Sequence, residues 1–229
     1  MSFTATLSHD VASTLAPDTP ISGNLARRGQ TATYAFNATS GQTVAFQATG
    51  GSTVPSGQLT YYYIYNPSGS EHTQSYSSGY ELLNLPNLPQ TGTYKVYVVP
   101  NYGATLTEQV ALISGVTGTL ATDGSPQNFA TTTQGQSVYL NFTASAGDNL
   151  GLGLSAFTET HGSANIYVYD ANNSLVTQGA CSTSNQGCGF DLKNLAGGAY
   201  SITIKPAQSS DTMSFTTTLA HDVAAALTP

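Results

Sequence analysis

Apolar and polar positions alternate over residues 32–36, with Ala32, Tyr34 and Phe36 on one side, and the alternation returns at Val138, Leu140 and Phe142. The doubling continues along the chain. Val44, Phe46 and Ala48 are matched by Leu150, Leu152 and Leu154, and Thr60, Tyr62 and Ile64 by Ala164, Ile166 and Val168. Tyr94, Val96 and Val98 are matched by Tyr200, Ile202 and Ile204. Apolarity with a period of two, kept in both copies, predicts half-buried antiparallel strands with these residues facing a core. Ser40-Gly41 and Ala146-Gly147, between the first two strands of each copy, read as hairpin turns. Further turn signals stand at Asn66-Pro67-Ser68-Gly69, Gln90-Thr91-Gly92, Ala171-Asn172-Asn173 and Ala196-Gly197-Gly198. No helical period extends beyond one turn in 222–227. The fold class expected is all-β: two tandem antiparallel β-sandwich domains, jelly-roll or immunoglobulin-like.

A longer repeat sets the domain layout. The first 17 residues, MSFTATLSHDVASTLAP, recur as the last 17, MSFTTTLAHDVAAALTP, with 12 identical positions at an offset of 212. Half that period also shows, with Gly29-Gln30 matching Gly135-Gln136. A Leu-x-x-x-Val-x-x-x-Leu junction occurs three times, at Leu7-Val11-Leu15, Leu112-Val116-Leu120 and Leu219-Val223-Leu227. Self-similarity at a fixed period is the mark of an array. The expected layout is residues 1–8 as a strand matching the closing strand of a preceding unit, 9–114 as the first sandwich, 115–221 as the second, and 222–229 as the start of the next junction. On this reading the chain is a piece of a larger array, which also accounts for the lack of a signal-peptide pattern in residues 1–20. Residues 1–8 could then pair with a strand edge of a neighbour and drive self-association.

Composition narrows the function classes. Charged residues are 7% of the 229, against about a quarter in ordinary soluble domains, and the net charge is −7 with five Lys and Arg. Nucleic acid is not an expected partner, since phosphate neutralisation needs a basic stripe. No apolar run is long enough for membrane insertion by a helix. Gly, Ser, Thr and Asn supply the polar positions, a choice that suits strands and turns over helices.

The motif order resembles the bacterial pre-peptidase C-terminal (PPC) domain. The marks are Gly41-Gln42-Thr43-Val44, then Tyr63-Ile64-Tyr65-Asn66-Pro67-Ser68-Gly69, then Thr91-Gly92-Thr93-Tyr94. The second copy supplies Gly147-Asp148-Asn149-Leu150, Tyr167-Val168-Tyr169-Asp170 and Gly197-Gly198-Ala199-Tyr200. The resemblance covers most of each unit. It implies a non-catalytic, jelly-roll-like sandwich of large secreted or surface proteins, in some cases helping to hold an insoluble substrate. Some relatives bind calcium through clustered carboxylates near the domain start; only the isolated Asp10, Asp18 and Asp123 stand there, so calcium is not carried over.

The candidate chemistry is sparse. Cys181 and Cys188 enclose a loop short enough for a disulfide, a staple that suits an exported chain and that the first domain, with Ser77-Ser78-Gly79, lacks. The alternative is two free thiols. The histidines, His9, His72, His161 and His221, belong to no catalytic or zinc motif. The 12 carboxylates are scattered and read as solvated, and Asp170, Asn172 and Asn173 read as a turn rather than a calcium loop. Neither enzyme activity, a cofactor nor a metal site is expected. One stripe stands out. Tyr61, Tyr63 and Tyr65 lie opposite Tyr62 and Ile64, Tyr97 is outward-facing, and Tyr167 and Tyr169 repeat part of the stripe. Exposed aromatics of this kind contact glycans or surface proteins, or simply pair across strands. The two functional expectations are a structural spacer repeat of an extracellular or cell-surface bacterial protein, adhesin-like and contacting neighbouring repeats of the same chain, and a carbohydrate- or protein-binding module using the tyrosine face of the first domain.

Overall fold

The computed structural model describes residues 7–223. The chain divides into two compact units with the boundary between Ser114 and Gly115. The first holds strands β1 (Val11–Thr14), β2 (Ile21–Leu25), β3 (Ala32–Ala38), β4 (Val44–Val54) and β5 (Thr60–Tyr65). It continues with β6 (Glu71–Ser77), β7 (Glu81–Leu85), β8 (Gly92–Pro100) and β9 (Thr105–Ser114). They form a five-stranded sheet, β1-β3-β8-β5-β6, and a four-stranded sheet, β2-β9-β4-β7. Tyr34 and Phe36 of β3, Ile64 of β5 and Val96 of β8 meet Phe46 of β4, Leu106 and Val110 of β9, and Leu25 of β2 in one buried core. This is a β-sandwich.

The second unit repeats the order with β10 (Val116–Thr119), β11 (Gln127–Ala130), β12 (Val138–Ala144), β13 (Leu150–Glu159) and β14 (Ser163–Tyr169). There follow β15 (Leu175–Ser182), β16 (Gly187–Leu192), β17 (Gly198–Pro206) and β18 (Met213–His221). Here the two sheets run into one nine-stranded ladder, β10-β12-β17-β14-β15-β16-β13-β18-β11. The join is the bridge between Ser182 and Gly187, beside the Cys181–Cys188 disulfide, whose Cα atoms are 5.0 Å apart. In the first unit β6 and β7 belong to different sheets. Ser77 there holds the corner through its hydroxyl, donating to the Tyr80 carbonyl and accepting from the Gly79 N–H.

Two expectations change. Ser40-Gly41 and Ala146-Gly147 are not hairpin turns. β3 pairs with β8 and β4 with β7 and β9, so the turn carries the chain from one sheet to the other. The cause is that both strands bear an apolar face, and those faces meet across the core only if the strands lie in opposite sheets. The turn is secured by backbone bonds from Gly41 N–H to the Leu88 carbonyl and from Leu88 N–H to the Gln42 carbonyl; Gly147, Leu195 and Asp148 repeat both bonds. The strands are also not all antiparallel, because β1 pairs in parallel with β3, and β10 with β12.

The junction leucines are core residues of their own units: Leu15 and Leu112 in the first, Leu120 and Leu219 in the second. Leu7 and Val223 are exposed, and residues 1–6 and 224–229, including Leu227 and most of the expected one-turn helix, lie outside the described residues. The Gly-x-Tyr marks also acquire a physical role. Tyr94 stacks on Phe36 at 5.3 Å and Tyr200 on Phe142 at 5.0 Å, and each hydroxyl donates to the carbonyl four residues back, on Gln90 and Ala196. Among the described residues no helix is long and apolar enough to cross a membrane.

Candidate functional site

The outer face of the five-stranded sheet carries the tyrosine stripe. Alternation along β5 turns Tyr62 and Ile64 into the core and leaves Tyr61, Tyr63 and Tyr65 half-buried on the other side. β5 and β8 are neighbours, and Tyr63 stands directly opposite Tyr97. The rings divide into two groups. Tyr61 lies nearly parallel to Tyr63 at 6.2 Å and against Tyr76 of β6 at 5.6 Å, while Tyr65 and Tyr97 meet edge-on at 5.3 Å. Tyr63, Tyr65 and Tyr97 wall a concavity of about 500 Å³, with Lys95, Thr93 and Asn66 as its polar groups and the β5–β6 turn, Pro67 and Gly69, at one end. Tyr61 is outside it.

The second unit bears the remaining two tyrosines of the stripe. Tyr167 and Tyr169 are 6.4 Å apart and nearly parallel. Their partners on β17 are Thr203 and Ser201, standing where the first unit has Tyr97 and Lys95. The Tyr65–Tyr97 pair thus has no equivalent there.

Most other singled-out residues stabilise turns. Asp10 accepts from the Thr31 N–H at 2.9 Å, Asp18 from the N–H and hydroxyl of Ser114, and Asp123 from the Ser125 N–H. These backbone bonds hold the Asp10 and Asp123 carboxyls below the usual range. Asp170 accepts from Asn172 and Ser174, closing its own turn. His72 lies edge-on to Tyr94, and His221 is 3.9 Å from Asp148. Lys95 and Lys205 are exposed, and Lys193 is 3.3 Å from Asp191.

Not all carboxylates are solvated, which corrects that expectation. Glu108 is 6% exposed. It alternates with Leu106, Val110 and Leu112 on the core face of β9, and that spacing was its signal in the sequence. Its Oε2 accepts from the Tyr62 hydroxyl at 2.8 Å, while its Oε1 and the buried Tyr34 hydroxyl have no hydrogen-bond partner among the described residues. Burial, opposed by the Tyr62 bond, pushes the Glu108 carboxyl up to about 7. Burial and the Glu108 charge push Tyr34 up to about 12 and raise Tyr62 as well. The trio needs Gly23 opposite Glu108: a Cβ there would collide with the Tyr34 hydroxyl and lie 3.3 Å from Glu108 Cγ. In the second unit the same places hold Leu140, Ile166, Phe215 and, opposite Phe215, Phe129, an all-apolar solution.

A second buried acid, Asp211, comes together with Glu159 and His161 from distant parts of the second unit. Its Oδ1 receives the His161 ring Nδ1 and the Ser210 hydroxyl, and Glu159 accepts from the N–H groups of His161 and Ser163. Burial alone would raise Asp211, but the bonds from His161 and Ser210 and the nearby Glu159 outweigh it and hold its carboxyl low. Burial and the adjacent Asp211 raise Glu159. The cluster ties the β13–β14 turn to the segment before β18. Among the described residues no group of three or more His, Cys, Asp or Glu is disposed to hold a metal ion.

No family model and no curated protein matches the sequence. Among solved structures, the chain is similar to the pre-peptidase C-terminal domain of a collagenase from Bacillus anthracis. Identity is 17% and the TM-score 0.36, covering 47% of this chain and 99% of that one. It is also similar to the Aeromonas hydrophila periplasmic inhibitor of g-type lysozyme, at 16% identity and TM-score 0.32 over 45% of this chain and 98% of the other. A tandem CBM22 pair from Paenibacillus barcinonensis Xyn10C matches at 8% identity and TM-score 0.27, covering 82% of each chain. The β-sandwich architecture stands on the strand order and cores described above.

Proposed function

We propose that the chain is a pair of non-catalytic, PPC-like β-sandwich repeats from a larger extracellular or cell-surface bacterial protein, serving as a spacer. The carrying observation is that each unit closes its own core around its own junction leucine, Leu15 or Leu120, while the junction sequence recurs after 212 residues. A unit that is complete in itself can be repeated without a partner surface. The disulfide fits an oxidising compartment. Scattering on proteins of two and four units tests the reading: the maximum dimension should double, and a compact four-unit particle would refute it.

A second reading is favoured by the concavity at Tyr63, Tyr65 and Tyr97. Its size falls in the range of small-ligand sites, and its tyrosines offer flat apolar faces with polar rims. In this reading the first unit binds carbohydrate or protein. Glycan-array and matrix-protein binding that disappears in Tyr63→Ala and Tyr97→Ala supports it; silence across both panels sinks it.

A further inference from the structure

The concavity holds a cation as well as rings. Lys and Arg number five in 229 residues, against twelve Asp and Glu. One of the five, Lys95, is fixed on the sheet within the tyrosine surface: Tyr65 is its partner on β5, and Tyr97 follows it on the same face of β8. Among the described residues no carboxylate is paired with Lys95, in contrast to Lys193 with Asp191. None of the residues lining the concavity is acidic, and Glu71, across from Tyr65 on β6, stands outside the lining. Asn66 and Thr93 add neutral hydrogen-bonding groups.

We propose that this concavity binds an anionic saccharide, with a sugar ring laid on tyrosine and its carboxylate or phosphate on the Lys95 ammonium. The proposal rests on the binding-face reading and adds a charge requirement to it. A pyranose offers what this lining complements: an apolar C–H face for an aromatic ring, hydroxyls for Asn66 and Thr93, and one anionic group for one lysine. A peptide anchor would want a deeper aliphatic pocket, and Val99 is the one aliphatic side chain besides Pro67 in the lining. With a net charge of −7, the chain repels anions at a distance, so recognition must come from this local contact. The second unit, with Ser201 and Thr203 in place of Lys95 and Tyr97, lacks both parts.

The test is native electrophoresis of the intact chain through gels containing polygalacturonate, phosphorylated mannan, dextran or polyglutamate. Retardation by polygalacturonate or by phosphomannan is expected, and which of the two is stronger assigns the anion. Lys95→Gln should weaken it at least tenfold, Lys95→Arg should largely restore it, Tyr97→Ala should remove it, and Tyr167→Ala should leave it unchanged. Dextran retardation that is equal in strength and indifferent to Lys95→Gln overturns the charge requirement and leaves a neutral binding face standing. Equal retardation by polyglutamate, which has no rings, overturns the saccharide. Failure of both anionic polysaccharides overturns the proposal, whereas the binding-face reading falls only if the glycan and matrix panels are silent too.

Discussion

Replacing Glu108 by Gln should make the protein more stable, and increasingly so as pH rises. The carboxyl lies at the core face of β9 with one hydrogen bond, from Tyr62, and an Oε1 without a partner among the described residues. Its pKa is raised from 4.5 to about 7, so the folded state holds this proton more tightly than the unfolded chain does. Stability from that proton is complete below the unfolded value, declines as pH passes from about 4.5 to about 7, and is absent above. A rise of roughly 2.5 pH units corresponds to about 3 kcal/mol. Gln keeps an oxygen for the Tyr62 hydroxyl and carries no charge. Chemical denaturation of the intact wild type and Glu108→Gln, from pH 4 to pH 8.5, measures the effect as a difference between two proteins that share every other titrating group. The two should agree within about 1 kcal/mol at pH 4, typical for an isosteric change at one hydrogen bond, and diverge to about 3 kcal/mol by pH 8. The variant will retain some pH dependence, because burial also raises the half-buried Glu81. A stability difference that stays constant across the range refutes the account of Glu108 as a desolvated, titrating carboxyl.

Other predictions follow from the same comparison of units. Gly23→Ala should destabilise by about 1–3 kcal/mol through overpacking, and Tyr34→Phe should relieve much of that in the double variant, since the hydroxyl is the colliding atom and has no partner among the described residues. Reducing Cys181–Cys188, or replacing both with Ser, should cost about 2–3 kcal/mol for so short a loop; melting of the separate units should show the loss in the second alone, and a loss in the first would contradict the assignment. Leu15→Ala and Leu120→Ala should each cost about 2–5 kcal/mol, the first in unit one and the second in unit two, as read by amide exchange; protection lost equally in both units by either change would refute the separate cores.

The sequence by itself determined which face of β3, β4, β5 and β8, and of β12, β13, β14 and β17, is buried. Solvation of a side chain is a local property, and alternation at Tyr34-Phe36 or Ile202-Ile204 reports it directly. The duplicated units and the pairing of Cys181 with Cys188 were legible for related reasons: one is internal comparison, the other depends on six intervening residues. Strand partnership was not. Ser40-Gly41 has the chemistry of a hairpin turn, but whether β3 and β4 pair or face each other depends on β7, β8 and β9, which lie tens of residues away and compete for the same edges. The buried acids escaped detection for the same reason. Glu108 sits at an apolar position of β9, and only Tyr62, 46 residues earlier, makes its burial tolerable; Asp211 depends on His161 across 50 residues. The candidate site divides in the same way. Each tyrosine's outward direction was visible along its own strand, while the placing of Tyr65, Lys95 and Tyr97 around one concavity was decided by the lateral pairing of β5 with β8, a tertiary choice governed by the energy of the whole sandwich rather than by any one segment.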